Sequence, residues 1–137
     1  MTAADILRSL EQLALDEALY VVHSSASLVL RGVLETAGDV DIVAHGSAWR
    51  RAEEMVRDGA ASLDRGTHDQ RVSLGSDVEI YDGWLGESGE AVVSRAEIVQ
   101  GVPCAPLQDV IAMKLRLDRP KDRRHLELIC AHQAAHG

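Results

Sequence analysis

The stretch Asp39-Val40-Asp41-Ile42-Val43 constrains this chain more than any other. Polar and β-branched residues alternate, and Gly38 breaks the pattern just before it, which predicts a short β-strand. Side chains two apart in a strand share a face. Val40 and Ile42 therefore point into a core, while the carboxylates of Asp39 and Asp41 lie side by side. Two adjacent anions repel, and one has its pKa raised unless a cation sits between them. A D-x-D strand thus faces open solvent or holds a hard metal such as Mg2+.

Around that strand the pattern alternates between helix and sheet. Residues 4 to 18 carry Ile6, Leu7, Leu10, Leu13, Ala14 and Leu15 at helical spacing with acidic residues opposite, a surface helix. Leu19 to Val22 reads as a buried strand ended by His23-Ser24-Ser25, and Ala26 to Leu34 as a short helix in which Gly32 permits close approach. Ser47 is the expected cap of a helix running to about Asp58, with Trp49, Ala52, Met55 and Val56 inward and Gly59 as its stop. After a polar stretch, Arg71–Leu74 and Val78–Tyr81 alternate as strands joined by Gly75-Ser76-Asp77. Residues 86 to 90 read as a loop, Ala91 to Ile98 carries no clear pattern, and Val99–Cys104 fits a short edge strand that tolerates Pro103. From Leu107 a helix follows with Pro106 at its start. Pro120 interrupts it, with Asp122 placed to cap a last helix that fades into the polar tail 133–137. The predicted class is α/β in the α+β sense, a mixed sheet flanked by helices with two of them C-terminal.

At 137 residues the chain fits one domain, 1–137, long enough to bury a core without disulfides. Cys104 and Cys130 show neither metal-ligand spacing nor a disulfide framework, and read as plain thiols. The first residues carry no basic n-region and no apolar run is long enough to span a bilayer, so the expected setting is cytoplasmic, with no membrane partner. The formal charge of −8 argues against a protein coated for nucleic acid. Its distribution is uneven: six basic residues against two acidic ones between Lys114 and Arg124 leave −12 for the rest. Such a segment suits a metal-bound polyphosphate, or is simply a solvated helix face. No G-x-G-x-x-G or Walker sequence occurs. His125, His132 and His136 have helical spacing, but nothing orients them, and they read as solvent-facing rather than as a zinc site.

The segment His23-Ser24-Ser25, the short apolar run to Leu34, and Gly38 before Asp39-Val40-Asp41-Ile42 resembles the signature of the polymerase-beta-like nucleotidyltransferase superfamily: a Gly-rich turn after the first strand, a short helix, then D-x-D on the second strand. A third carboxylate follows on a later strand, and Glu79 within Val78-Glu79-Ile80-Tyr81 is similar to it in position and flanks, with Asp77 and Asp82 nearby as alternatives that strand parity disfavours in the case of Asp82. Leu107 to Asp122 is similar to the ending of small bacterial members, including those related to abortive-infection and toxin-antitoxin proteins.

The resemblance implies a minimal nucleotidyltransferase fold that transfers a nucleoside monophosphate from a Mg-bound nucleoside triphosphate to a protein, RNA or small-molecule acceptor. It implies that Asp39 and Asp41 ligate one or two Mg2+ ions, that Glu79 completes the metal site or polarises the acceptor hydroxyl, that Ser24 or Ser25 meets phosphate, and that Lys114 and Lys121 balance phosphate charge. A protein partner or second subunit is expected to dock the acceptor, with nucleic acid entering only as that acceptor. Three departures from the family stand out: His23-Ser24-Ser25 replaces the turn glycines, Glu35 stands where many members carry Arg, and the third carboxylate, Glu79, is Glu rather than the commoner Asp. They define the alternative, a catalytically silent nucleotidyltransferase-fold module acting through protein interaction, as in a toxin-antitoxin pair.

Overall fold

The computed structural model describes residues 1–136. The chain runs α1 (Ala3–Leu13), β1 (Tyr20–His23), α2 (Ser24–Leu30), β2 (Val40–Ala44), α3 (Gly46–Arg57), β3 (Ser62–Arg65), β4 (Gln70–Leu74), β5 (Val78–Tyr81), β6 (Gly83–Trp84), β7 (Glu87–Ser88), α4 (Gly89–Val93), β8 (Glu97–Val99), β9 (Val102–Cys104), α5 (Leu107–Leu117) and α6 (Pro120–His136). Seven strands form one mixed sheet in the order β3-β4-β5-β2-β1-β9-β8, with β6 and β7 as a separate small hairpin. The acidic strand β2 is central. It runs antiparallel to β1 and parallel to β5, a register that sets Asp41 opposite both His23 and Glu79.

Period-2 burial explains why β2 sits there. Val40, Ile42 and Ala44 are wholly buried on one face, packed in a core with Ile6 and Leu10 of α1 and Ala48, Ala52 and Met55 of α3. Each large apolar side chain so buried contributes about 1.5–3 kcal/mol. On the opposite face Val43 packs with Val21, Val92 and Val93 under α4, so that face is apolar at the end of the strand and acidic at its beginning. Gly89 makes this approach feasible, since a Cβ there would lie 2.6 Å from Ala44 O and 2.7 Å from Asp82 O, both backbone atoms. A third apolar cluster of Leu28, Ala105, Val110 and Ile129 fastens α5 and α6 onto α2.

Several boundaries differ from the sequence-based expectations. Helix α1 stops at Leu13 rather than near residue 18, because the Asp16 side chain accepts from the Ala18 amide and the Asp16 carbonyl from Leu19, a local alternative to helix. Helix α2 begins at Ser24 and ends by Leu30; Gly32 serves its positive φ of 80°, with only His132 Cε1 near a would-be Cβ at 3.9 Å, rather than a close approach. His45, not Ser47, occupies the cap position of α3, without a side-chain cap bond. The polar stretch before β4 contains the exposed edge strand β3, and the supposed loop at 86–90 contains β7 and the start of α4, capped by Ser88. Val99–Cys104 belongs to the β8–β9 hairpin, whose turn residues Gln100 and Gly101 both have positive φ; β8 is the edge, while Pro103 lies in an internal strand that reaches β1 through the Ala105 amide and Val22 O.

Candidate active site

Asp39 lies just before β2 and Asp41 within it, both on the face that α4 leaves open, and the parallel β2–β5 register brings Glu79 alongside. One carboxylate oxygen from each of Asp39, Asp41 and Glu79 lies within 4.8 Å of the others. Of the alternatives for the third carboxylate, Asp82 accepts from the Gln70 amide at 2.8 Å and is tied to β4, and exposed Asp77 precedes β5. Glu79 is itself oriented, with the Tyr81 hydroxyl donating to its Oε2 at 2.7 Å and Arg71 Nη1 standing 3.8 Å from its Oε1. Arg71 in turn donates from Nη2 to Asp64 Oδ2 at 2.7 Å.

The electrostatics show what this cluster lacks. Asp41 Oδ1 is buried without a hydrogen-bond partner among the described residues. Burial, then the charges of Asp39 and Glu79, pushes the Asp41 carboxyl up to about 8. Burial and Glu79 also raise Asp39, against the opposing pull of Lys121. A buried acceptor with no donor and three carboxylates in reach of one point form an oxygen donor set that fits a hard divalent cation.

The carboxylates open into a cavity of about 350 Å3 that Ser24, Ser25 and Lys121 also line, together with Arg71, Tyr81, Trp84 and Arg119. Lys114 is not among the lining residues. Its side chain is 1% exposed and its ammonium lies 3.4 Å from Asp122 Oδ1 and 2.9 Å from His125 Nδ1, so the expectation that it meets phosphate gives way to a structural role. His125 is likewise buried rather than solvent-facing, and burial with the Lys114 charge brings it down to about 4, leaving it a neutral acceptor. His132 and His136 stack on each other at 4.2 Å, away from any carboxylate cluster.

The replaced turn shows its own accommodation. Ser24 adopts φ 60°, a left-handed conformation that glycine takes without cost. Its amide donates to His23 Nδ1 at 2.8 Å, which makes His23 the tautomer protonated at Nε2. Burial, with the Arg95 charge, lowers His23 to about 3, and the neutral ring stacks on Trp84 at 4.4 Å; Trp84 meets Tyr81 edge-on at 5.0 Å. An aromatic wall thus links the turn to Glu79. Arg71, Tyr81, Trp84 and Arg119 were missed from sequence. Tyr81 shares strand parity with Glu79 and pairs with Arg71 across the hairpin, a legible signal; Trp84 and Arg119 carry none.

No protein-family profile matches the chain, and no curated protein matches it in sequence. Among solved structures it is similar to a protein of Thermotoga maritima described as a prospective nucleotidyltransferase, with 20% identity, 96% of each chain covered and a TM-score of 0.60. That likeness, together with a seven-stranded mixed sheet flanked by helices, two of them C-terminal, shows the fold to be of the nucleotidyltransferase type. Among the described residues no helix is long and apolar enough to cross a membrane.

Proposed function

We propose that the chain transfers a nucleoside monophosphate from a nucleoside triphosphate to an acceptor hydroxyl or phosphate, with pyrophosphate leaving. The observation that carries this reading is the convergence of Asp39, Asp41 and Glu79 on one point of a cavity flanked by cations, with Asp41 Oδ1 lacking any partner among the described residues. Asp39 and Asp41 would hold Mg2+, which when bound supplies charge neutralisation on the phosphates. Glu79, held by Tyr81 and near Arg71, accepts the proton from the acceptor hydroxyl as its oxygen bonds to the α-phosphorus and the bond to pyrophosphate breaks. Ser24, Ser25 and Lys121 contact the phosphates from the cavity wall, and Trp84 narrows the space beside them. The acceptor is a protein, RNA or small molecule, docked by a partner protein or second subunit.

A second reading is favoured by one specific contact. The Ser24 amide, which the missing glycine turn would have offered to phosphate, is already taken by His23 Nδ1. That suits a silent module acting by protein interaction, as in a toxin-antitoxin pair. Melting the protein with ATP, GTP, CTP and UTP, with and without Mg2+, beside Asp39→Asn, separates the two. A Mg2+-dependent rise lost in Asp39→Asn supports the transferase. Absence of any rise at millimolar nucleotide supports the module.

A further inference from the structure

We propose that Arg119 is the residue that reads the polyphosphate of the nucleotide, and that Asp122 and Lys114 are positioning residues which hold it ready; this rests on the transferase reading above. Arg119 sits in the turn between α5 and α6, directly before Pro120, and lines the carboxylate cavity with its side chain 45% exposed. Its Nε donates to Asp122 Oδ2 at 2.6 Å and its Nη2 to Asp122 Oδ1 at 3.1 Å, and its backbone amide donates to the same carboxylate at 3.1 Å. One edge of the guanidinium and its own main chain are thereby fixed, while Nη1 makes no hydrogen bond among the described residues.

The support beneath is buried. Asp122 is 0% exposed, and Lys114 faces it from α5, with the ammonium also donating to His125 Nδ1. Burial alone would raise the Asp122 carboxyl, but the bonds from Arg119 and the Lys114 charge bring it down to about 2. Replacing such a buried pair by apolar residues is commonly neutral or stabilising, so fold stability alone does not account for it. What it accomplishes is geometric. The unit carries two cations against one anion, with His125 neutral, and presents the excess charge through a guanidinium that has already lost its rotamer freedom.

Arg119 is also held off the metal-site carboxylates. It forms no ion pair with Asp39, Asp41 or Glu79, although the Asp41 charge reaches it. A guanidinium beside three carboxylates that bonds none of them, with free donors toward the same cavity, is placed for an anion that enters between them. A polyphosphate meets that description, and its added phosphates are what separate a triphosphate from a monophosphate.

The test is calorimetric titration, with Ca2+ replacing Mg2+ to prevent turnover, of the nucleoside triphosphate that gives the largest melting shift, of its monophosphate, and of inorganic pyrophosphate. The proteins are wild type, Asp39→Asn, Arg119→Ala, Arg119→Lys and Asp122→Asn. Arg119→Ala is expected to lose about ten- to hundredfold in affinity for triphosphate and pyrophosphate and less than about threefold for monophosphate, with a lowered melting temperature, because the buried Asp122 carboxylate loses two donors; the triphosphate-to-monophosphate ratio, which a loss of stability alone would not move, is the readout. Arg119→Lys should recover part of the loss as a point charge, and Asp122→Asn should shift the triphosphate-to-monophosphate ratio in the same direction as Arg119→Ala. Equal losses for triphosphate and monophosphate in Arg119→Ala, or no loss, overturn the inference alone, provided wild type binds and Asp39→Asn does not. If Asp122→Asn fails to fold, the Arg119 pair still decides. A wild type that binds none of the three overturns the transferase reading and this one with it.

Discussion

Asp41→Asn is expected to abolish transfer and yet stabilise the metal-free protein, by an amount that depends on pH. In the folded chain the Asp41 carboxyl is pushed up to about 8 from an ordinary 3.8, by burial first and then by Asp39 and Glu79. Between those values the folded chain keeps a proton that the unfolded chain has released, so stability falls as pH rises from about 4 to about 8. At about 1.4 kcal/mol per pH unit this sets an upper bound near 6 kcal/mol. The surroundings of Asp41 relax when its charge is removed, so the variant is expected to gain only about 2–3 kcal/mol above pH 8. For a domain of this size each kcal/mol moves the melting temperature by about 3–4 °C. In EDTA at pH 8.5 the variant should therefore melt roughly 6–12 °C above wild type. At pH 5, where wild-type Asp41 is already protonated, the two should agree within about 3 °C. Groups remote from the cluster titrate alike in both proteins, so the difference between the two pH values reports the charge of the cluster around Asp41. Adding Mg2+ should raise the wild type at pH 8.5 and leave the variant unmoved. An equal gain at both pH values, or a variant less stable at pH 8.5, would refute the like-charge account of the cluster.

Tyr81→Phe removes the hydroxyl that donates to Glu79 and should weaken Mn2+ binding about tenfold by titration, with a stability cost of about 1 kcal/mol in urea. Lys114→Met strands the buried Asp122 carboxylate with Arg119 alone and should cost about 2–4 kcal/mol, while Lys114→Met with Asp122→Leu should be less destabilised than the single change; a double variant that is worse than the single one would contradict the burial argument. Ser24→Gly relieves a positive φ of 60° and should gain about 1 kcal/mol by thermal melting, since only glycine takes that backbone freely.

What the sequence made legible follows from the range over which each pattern acts. Strands β1, β2, β4 and β5 were visible because their alternation or apolar run reports burial locally, and the parity of Glu79 then placed it beside Asp41 once β2 and β5 paired in parallel. Strand β3 was invisible because all four of its residues are exposed, and α4 because five residues are too few for a helical stripe. Helix α5 misleads in a more instructive way. Lys114 stands between Met113 and Leu115 and reads as a surface cation, yet it is buried while Leu115 is 63% exposed. The inversion is caused by Asp122, eight residues on and in the next helix, whose carboxylate makes burial of that ammonium affordable only in the folded arrangement. The same long-range pair turned Arg119 from an ordinary turn residue into a lining residue, and no local pattern encodes such a choice.

The cavity's cations explain why its carboxylates remain strained. Arg71 and Arg119 are both within the charge field of the acidic cluster, yet Arg71 meets it only through a long ion pair to Glu79 and Arg119 forms none with it. Instead each guanidinium is bonded to an acid outside the cluster, Arg71 to Asp64 on the edge strand β3 and Arg119 to Asp122 at the start of α6. Arg71 stops 3.8 Å from Glu79, beyond hydrogen-bond reach, and Asp41 Oδ1 has no donor among the described residues. Internal neutralisation would have lowered the Asp41 carboxyl toward its ordinary range and removed the attraction for a divalent cation. By bonding Arg71 and Arg119 to acids outside the cluster, the fold keeps three carboxylates under-neutralised at one point. That separation of charge is costly, and a divalent cation held by the three carboxylates would relieve it.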